Sequence, residues 1–139
     1  MASDANVKII YTPSDEETAQ IINNLWHHNE QYAPVNIRPL LVLAERNGQT
    51  VAGLVARTWW EVLDIQYLWV HESLRGKGLG KKLMLLAEKE AKNRNCQLAT
   101  VDTFSCQAPG FYQKLGYREY GALCGYAGQY TRHYMSKNI

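Results

Sequence analysis

A chain of 139 residues with a formal net charge of +2, 46% hydrophobic and 20% charged residues, is sized for a single domain spanning residues 1–139. Such a domain buries roughly two thirds of the surface its unfolded form exposes. The balance excludes intrinsic disorder and argues against a nucleic-acid polyelectrolyte. No apolar run approaches the roughly eighteen residues of a membrane span. The start MASDANVKII lacks the basic and apolar regions of a signal peptide, so a soluble, cytoplasmic protein with no membrane partner is expected.

The segment VKIIYTP reads as a short β-like opening stopped by Pro13. Ser14 and Glu17 form a capping box, and Ile21, Ile22, Leu25 and Trp26 recur at helical spacing, which predicts a helix from about Asp15 to Gln31. LLVLAER and TVAGLVART flank Asn47-Gly48 and predict an antiparallel hairpin. In WWEVLDIQYLWV, strict alternation would turn Leu63, Ile65, Tyr67 and Trp69 to one face and Asp64, Gln66, Leu68 and Val70 to the other.

Beyond residues 71–84, Leu79, Leu83, Leu86, Ala87 and Ala91 form one helical stripe opposite Lys82, Lys89 and Lys92. QLATVDTF predicts a strand, and PGFYQKL a short helix with Pro109 at its start and Gly116 at its end. YREYGAL and YTRHYMS predict a closing strand pair. The expected order is strand, helix, three strands, helix, strand, helix, strands.

The chemistry concentrates in HESLRGKGLGKKLM. A helix start carries unpaired N–H groups and about half a positive charge, and glycines let an anion reach them unobstructed. Gly76, Gly78 and Gly80 alternate there among Arg75, Lys77, Lys81 and Lys82, which together suggest a phosphate cradle. A Walker-type loop fails on spacing and on Lys82, where a hydroxyl is needed. A dinucleotide fingerprint needs a different glycine spacing. The plainer reading is a tight turn on a lysine-rich surface.

Other candidates carry less. Cys96, Cys106 and Cys124 are odd in number and lack ligand spacing, so disulfides and structural zinc are not expected; Cys106 as a nucleophile is outweighed by a structural role. The histidines, among them His27, His28 and His71, do not cluster, and no metal site is expected. Trp59, Trp60, Trp69, Tyr117, Tyr120, Tyr126, Tyr130 and Tyr134 make the sheet and tail aromatic, a pattern as suited to core packing as to holding a cationic amine.

LWVHESLRGKGLG, followed at a distance by GFYQKLGY, resembles the GNAT superfamily of acetyl-coenzyme A dependent N-acetyltransferases. The first motif is matched by Arg75-Gly76-Lys77-Gly78-Leu79-Gly80 and the second by Phe111 to Tyr117. The resemblance implies an α/β (α+β) fold with a mixed, mostly antiparallel central sheet flanked by helices and a splayed strand pair for acetyl-CoA. It implies that Arg75, Gly76, Lys77, Gly78, Leu79, Gly80 and Lys81 hold the diphosphate. Leu68, Trp69 and Val70 would offer backbone to the pantetheine arm, with the Leu68 N–H facing the thioester. Where many members carry a coenzyme-contacting Asn, this chain has Ser105.

The resemblance also assigns Tyr112 as the acid that protonates the leaving thiolate, and Asp64 as the carboxylate that deprotonates the amine; Asp102 and Glu61 are reserves. A small-molecule amine is the expected partner, and a homodimer is compatible. A non-catalytic coenzyme A sensor, acetylation of a protein or peptide amine, and a nucleic-acid binder using Arg75, Lys77, Lys81, Lys82 and Arg94 are the alternatives. The near-neutral charge speaks against nucleic acid.

Overall fold

The computed structural model describes residues 4–139, and the chain divides into two compact units, residues up to Val35 and Asn36–Ile139. In the first unit, α1 spans Asp15–Asn29. The Ser14 hydroxyl accepts from the Glu17 N–H at 3.1 Å while Glu17 reaches back to the Ser14 N–H at 3.0 Å, the predicted capping box. The β-like opening does not become a strand: residues 5–10 adopt no regular structure. Apolar β-formers make a strand only where a neighbour takes their backbone groups, and no ladder includes this segment.

The second unit is a six-stranded sheet in the order β1-β2-β3-β4-β6-β5. Its strands are β1 (Arg38–Arg46), β2 (Gln49–Trp59), β3 (Val62–Val70), β4 (Leu98–Phe104), β5 (Arg118–Tyr126) and β6 (Tyr130–Asn138), joined by α2 (Leu79–Asn93) and α3 (Pro109–Lys114). Every ladder is antiparallel except β3 with β4. The mixed, mostly antiparallel sheet with helices matches the expected fold class. Asn47 and Gly48 hold φ of 52° and 77°, the left-handed pair that a two-residue hairpin requires. Trp60 and Glu61 make a second such turn, at 47° and 64°.

Alternation along β3 breaks midway. The β2–β3 register slips between Val55 and Ala56, so that Val55 faces Tyr67 and Ala56 faces Ile65, leaving Gln66 as an extra residue. A bulge of one residue reverses every following side chain. Leu63 and Ile65 are buried, but Tyr67 is 72% exposed, while Leu68 and Val70 pack against the core. The predicted common face of Leu63, Ile65, Tyr67 and Trp69 is thereby corrected.

The core forms where α2 lies on the sheet. Leu54, Leu63, Ile65, Met84 and Met135 are its largest fully buried side chains. On α2 the buried stripe is Leu83, Met84, Ala87, Glu88 and Ala91. Leu86, expected inward, is 54% exposed, because the stripe is rotated by about one position and takes in a carboxylate that apolar periodicity cannot see. Leu54→Ala is expected to cost ~2–5 kcal/mol in urea denaturation through the cavity it leaves. Val55→Ala, on the opposite face of the same strand, should cost under ~1 kcal/mol.

Candidate active site

The β3–β4 ladder runs Val62–Leu98, Leu63–Ala99, Asp64–Thr100, Ile65–Val101 and stops. Both strands continue, β3 to Val70 and β4 to Phe104, each held on its outer side by an antiparallel neighbour. They therefore part at the bulge, and the backbone of residues 66–70 that faces β4 has no strand to pair with. An extended chain can pair with such an edge.

At the far end of β3 stands the start of α2. A 3₁₀ turn, Glu72–Leu74, is followed by Gly76 and Gly78 at φ of 76° and 81°, conformations costly for other residues. Gly78 caps α2 with no side-chain hydrogen bond, and the first turn holds no acidic residue. Helix α1 is built the other way, since its first turn carries Asp15, Glu16 and Glu17 and its own capping box. The α2 start thus leaves its N–H groups and positive dipole end without a side-chain cap or a first-turn carboxylate, an arrangement that attracts anions. A Cβ on Gly76 or Gly78 would meet nothing within 4 Å, so the space before them is open.

Arg75, Lys77, Lys81 and Lys82 surround this opening, and all four are exposed. The Arg75 Nε–H donates to the Val70 carbonyl at 2.9 Å, fastening the loop to the end of β3. The missing side chain of Gly80 also serves packing. A Cβ there would stand 3.3 Å from Phe111 Cζ, so its bareness admits the α3 aromatic against α2.

Helix α3 begins at Pro109 and ends at the left-handed Gly116 (φ 97°), as its sequence predicts. Tyr112 on α3 is 7% exposed within the core cluster, edge-on to Phe111 and Tyr117 with ring centroids 5.0 and 6.0 Å away. Burial pushes its phenol above the usual range, so the hydroxyl keeps its proton.

Asp64 lies on the other face of the sheet, since its neighbours Leu63 and Ile65 point into the core that holds Tyr112. Arg57 Nε pairs with its carboxylate at 3.1 Å. Asp102 shares that face, one residue beyond the last β3–β4 pair, and is ion-paired with Arg132. The Arg132 guanidinium sits over the rings of Tyr134, Tyr126 and Phe104, at 5.0, 5.8 and 5.9 Å. The Tyr112 phenol thus lies on the core face of the sheet, and two carboxylates with aromatic rings lie on the other.

Two further candidates have backbone partners. The Ser105 hydroxyl accepts from the Thr131 N–H at 3.1 Å, and its own N–H donates to the Thr131 carbonyl at 2.9 Å, so Ser105 stitches β4 to β6. Glu61 lies in the β2–β3 turn, at the end of β3 remote from the start of α2, where its carbonyl accepts from the Gln97 N–H at 2.9 Å. Cys96 is buried and Cys106 and Cys124 are exposed, all free. Among the described residues no group of three His, Cys, Asp or Glu could hold a metal, and no helix is long and apolar enough to cross a membrane.

Sequence reasoning missed the buried Glu88 of α2, which accepts from the Tyr117 hydroxyl and from Lys137 Nζ, both at 2.7 Å. It also missed Arg132. The only available signal was a charged residue at an inward position of a helix or strand, and that becomes visible once the register is known.

The arrangement agrees with known proteins. The family model described as acetyltransferase (GNAT) family matches residues 8–117. The chain is 37% identical over 107 residues to the blasticidin-S acetyltransferase of Streptomyces morookaense, covering 73% of this chain and 79% of that one. An acetyltransferase from Bacillus cereus ATCC 14579 superposes with a TM-score of 0.81 at 31% identity, covering 95% of this chain and 98% of the other. A Bacillus anthracis protein described as a streptothricin acetyltransferase, solved with acetyl coenzyme A, shares the fold at a TM-score of 0.66 and 21% identity, covering 73% of this chain and 62% of its own. With its splayed strands, glycine-opened helix and matched motifs, the chain belongs to the GNAT acetyltransferase family and is an acyltransferase whose acetyl donor is acetyl-CoA.

Proposed function

We propose that the chain transfers the acetyl group of acetyl-CoA directly to a primary amine of a small molecule. One observation carries this reading: the β3–β4 ladder stops at Ile65 and Val101 while both strands run on, with an uncapped glycine helix start at the end of the same β3. The diphosphate fits Gly76 to Lys81, the pantetheine arm fits the unpaired edge at Leu68, Trp69 and Val70, and the acetyl group then lies in the gap. The amine enters from the face of Asp64 and Asp102, because the opposite face is closed by α2, α3 and the core. The 37% identical relative is named for a small-molecule acceptor, blasticidin-S, which favours a small amine over a protein. The same reading includes a cytoplasmic setting and is compatible with a homodimer.

The chemistry needs a neutral amine. An alkyl ammonium of pKa ~10.4 costs roughly 4–5 kcal/mol to deprotonate at pH 7, so a carboxylate that receives the proton, directly or through water, is required. Asp64 fills that role in this reading. The Leu68 N–H stabilises the oxyanion as the amine attacks, and Tyr112 gives its proton to the departing thiolate. Asp102 is the second reading for the base, favoured by its position just past the last β3–β4 pair.

The test is coenzyme A release that requires both acetyl-CoA and an added amine, across a panel of small amines. Asp64→Asn is expected to lower kcat/KM about hundredfold at pH 7, with a smaller loss for amines of low pKa. A loss of that size in Asp102→Asn alone moves the base to Asp102. Tight acetyl-CoA binding with no turnover for any amine or peptide would leave a coenzyme sensor instead.

A further inference from the structure

Six residues cannot hold a helix by themselves, because helix nucleation is unfavourable and only longer segments recover its cost. Helix α3, which carries Tyr112, spans only Pro109–Lys114, so its placement must come from outside. Two contacts supply it, and both are with α2. Near its start, Phe111 rests on the bare backbone of Gly80. Just past its end, the Tyr117 N–H donates to the Tyr112 carbonyl at 3.0 Å, closing the turn, and the Tyr117 hydroxyl donates to Glu88 Oε2 at 2.7 Å.

Glu88 is unusual for a carboxylate: it is 4% exposed, in a stripe otherwise made of Leu83, Met84, Ala87 and Ala91. Such a charge is tolerated inside only when paired. Lys137 Nζ supplies the pairing at 2.7 Å on Oε1, with its ammonium 5.6 Å from the centroid of the Tyr117 ring and its methylenes against Gly116. Burial, then the Glu88 contact, push the Tyr117 phenol well up, so its hydroxyl is a permanent donor to Glu88. An apolar residue at position 88 would bury more simply; the carboxylate adds direction. Lys137 and Tyr117 approach its two oxygens separately, which fixes the Tyr117 ring, and that ring lies edge-on to Tyr112 at 6.0 Å.

We propose that Glu88, through Tyr117 and with Lys137 as its counter-charge, is the positioning residue for the Tyr112 hydroxyl, tying the proton donor to the same helix whose start cradles the diphosphate. Gly80 and Glu88 are eight residues apart on α2, about 12 Å along its axis. A single rigid helix therefore sets the offset between the diphosphate end of the carrier and the phenol. This inference rests on Tyr112 being the acid, and its test separates the two.

Turnover and acetyl-CoA affinity are measured for Tyr112→Phe, Tyr117→Phe and the double variant, with thermal melts to confirm folding. Tyr117→Phe removes one hydroxyl, and its turnover is expected to fall about tenfold, as for a catalytic group displaced by a fraction of an ångström. The Kd for acetyl-CoA should stay within about twofold, since the cradle is untouched. In the Tyr112→Phe background the same change should cost nothing more, because the group it positions is gone.

Equal losses from Tyr117→Phe in both backgrounds, or full turnover in Tyr117→Phe beside a slowed Tyr112→Phe, overturn the inference alone. An unimpaired Tyr112→Phe overturns the acid assignment and this inference with it. Should Tyr117→Phe fail to fold, Glu88→Gln, which keeps the length and an acceptor but removes the charge, is carried through the same cycle under the same criteria.

Discussion

Gly78→Glu is expected to weaken acetyl-CoA binding at least hundredfold while leaving the sheet and its melting cooperativity intact. Gly78 holds φ at 81° as the residue before α2, where a side chain strains the backbone by roughly 1–2 kcal/mol. The glutamate would also place a negative charge where the diphosphate has to meet the N–H groups of Leu79, Gly80 and Lys81, weakening the dipole's attraction. A hundredfold in Kd corresponds to ~2.8 kcal/mol, within reach of strain and repulsion combined. Gly121→Ala is the control: this glycine has no positive φ, and no atom lies within 4 Å of where its new methyl would stand, so binding should be unchanged. Isothermal calorimetry reads both, and wild-type affinity in Gly78→Glu would remove the cradle from residues 76–81.

Local signals were legible wherever the physics is local. The Ser14–Glu17 box, the Asn47-Gly48 turn, and Pro109 and Gly116 around α3 each act over a few residues, and each stands as its residue types require. The glycine motif was legible for a related reason: open backbone at a helix start leaves few residue types permissible. What stayed hidden depends on partners distant in sequence. Gln66 looks like any strand residue until β2 is aligned beside it, and only then does the extra residue reverse Tyr67 and Leu68. Glu88 reads as one more solvated charge on a lysine-rich helix until Tyr117 and Lys137, 29 and 49 residues away, converge on it. The same holds for Asp102 with Arg132, 30 residues on. The β-rich opening fails from the other side, because propensity without a neighbouring strand makes no ladder.

The hydroxyl of Tyr112 should be worth about a hundredfold in turnover, the lower end of what a positioned proton donor contributes. Tyr112→Phe keeps the ring, its edge contacts with Phe111 and Tyr117 and its place in the core, so acetyl-CoA affinity and thermal stability should hold. The pH dependence adds a second criterion, with its sign set by burial. Desolvation disfavours the phenolate and raises the pKa of Tyr112 above the ordinary tyrosine value of 10.0. A raised pKa keeps the acid protonated across the neutral and mildly alkaline range, and the donor is lost only as pH climbs through that higher value. Turnover should therefore rise with pH as more amine is neutral and show no alkaline decline below about pH 10. In Tyr112→Phe the ascending limb should persist at about one hundredth of the height, because the amine still has to lose its proton while thiolate departure goes unassisted. A steady-state profile with saturating acetyl-CoA measures both. Turnover within twofold of wild type throughout that range would leave the thiolate to depart unaided and reduce Tyr112 to a ring that packs.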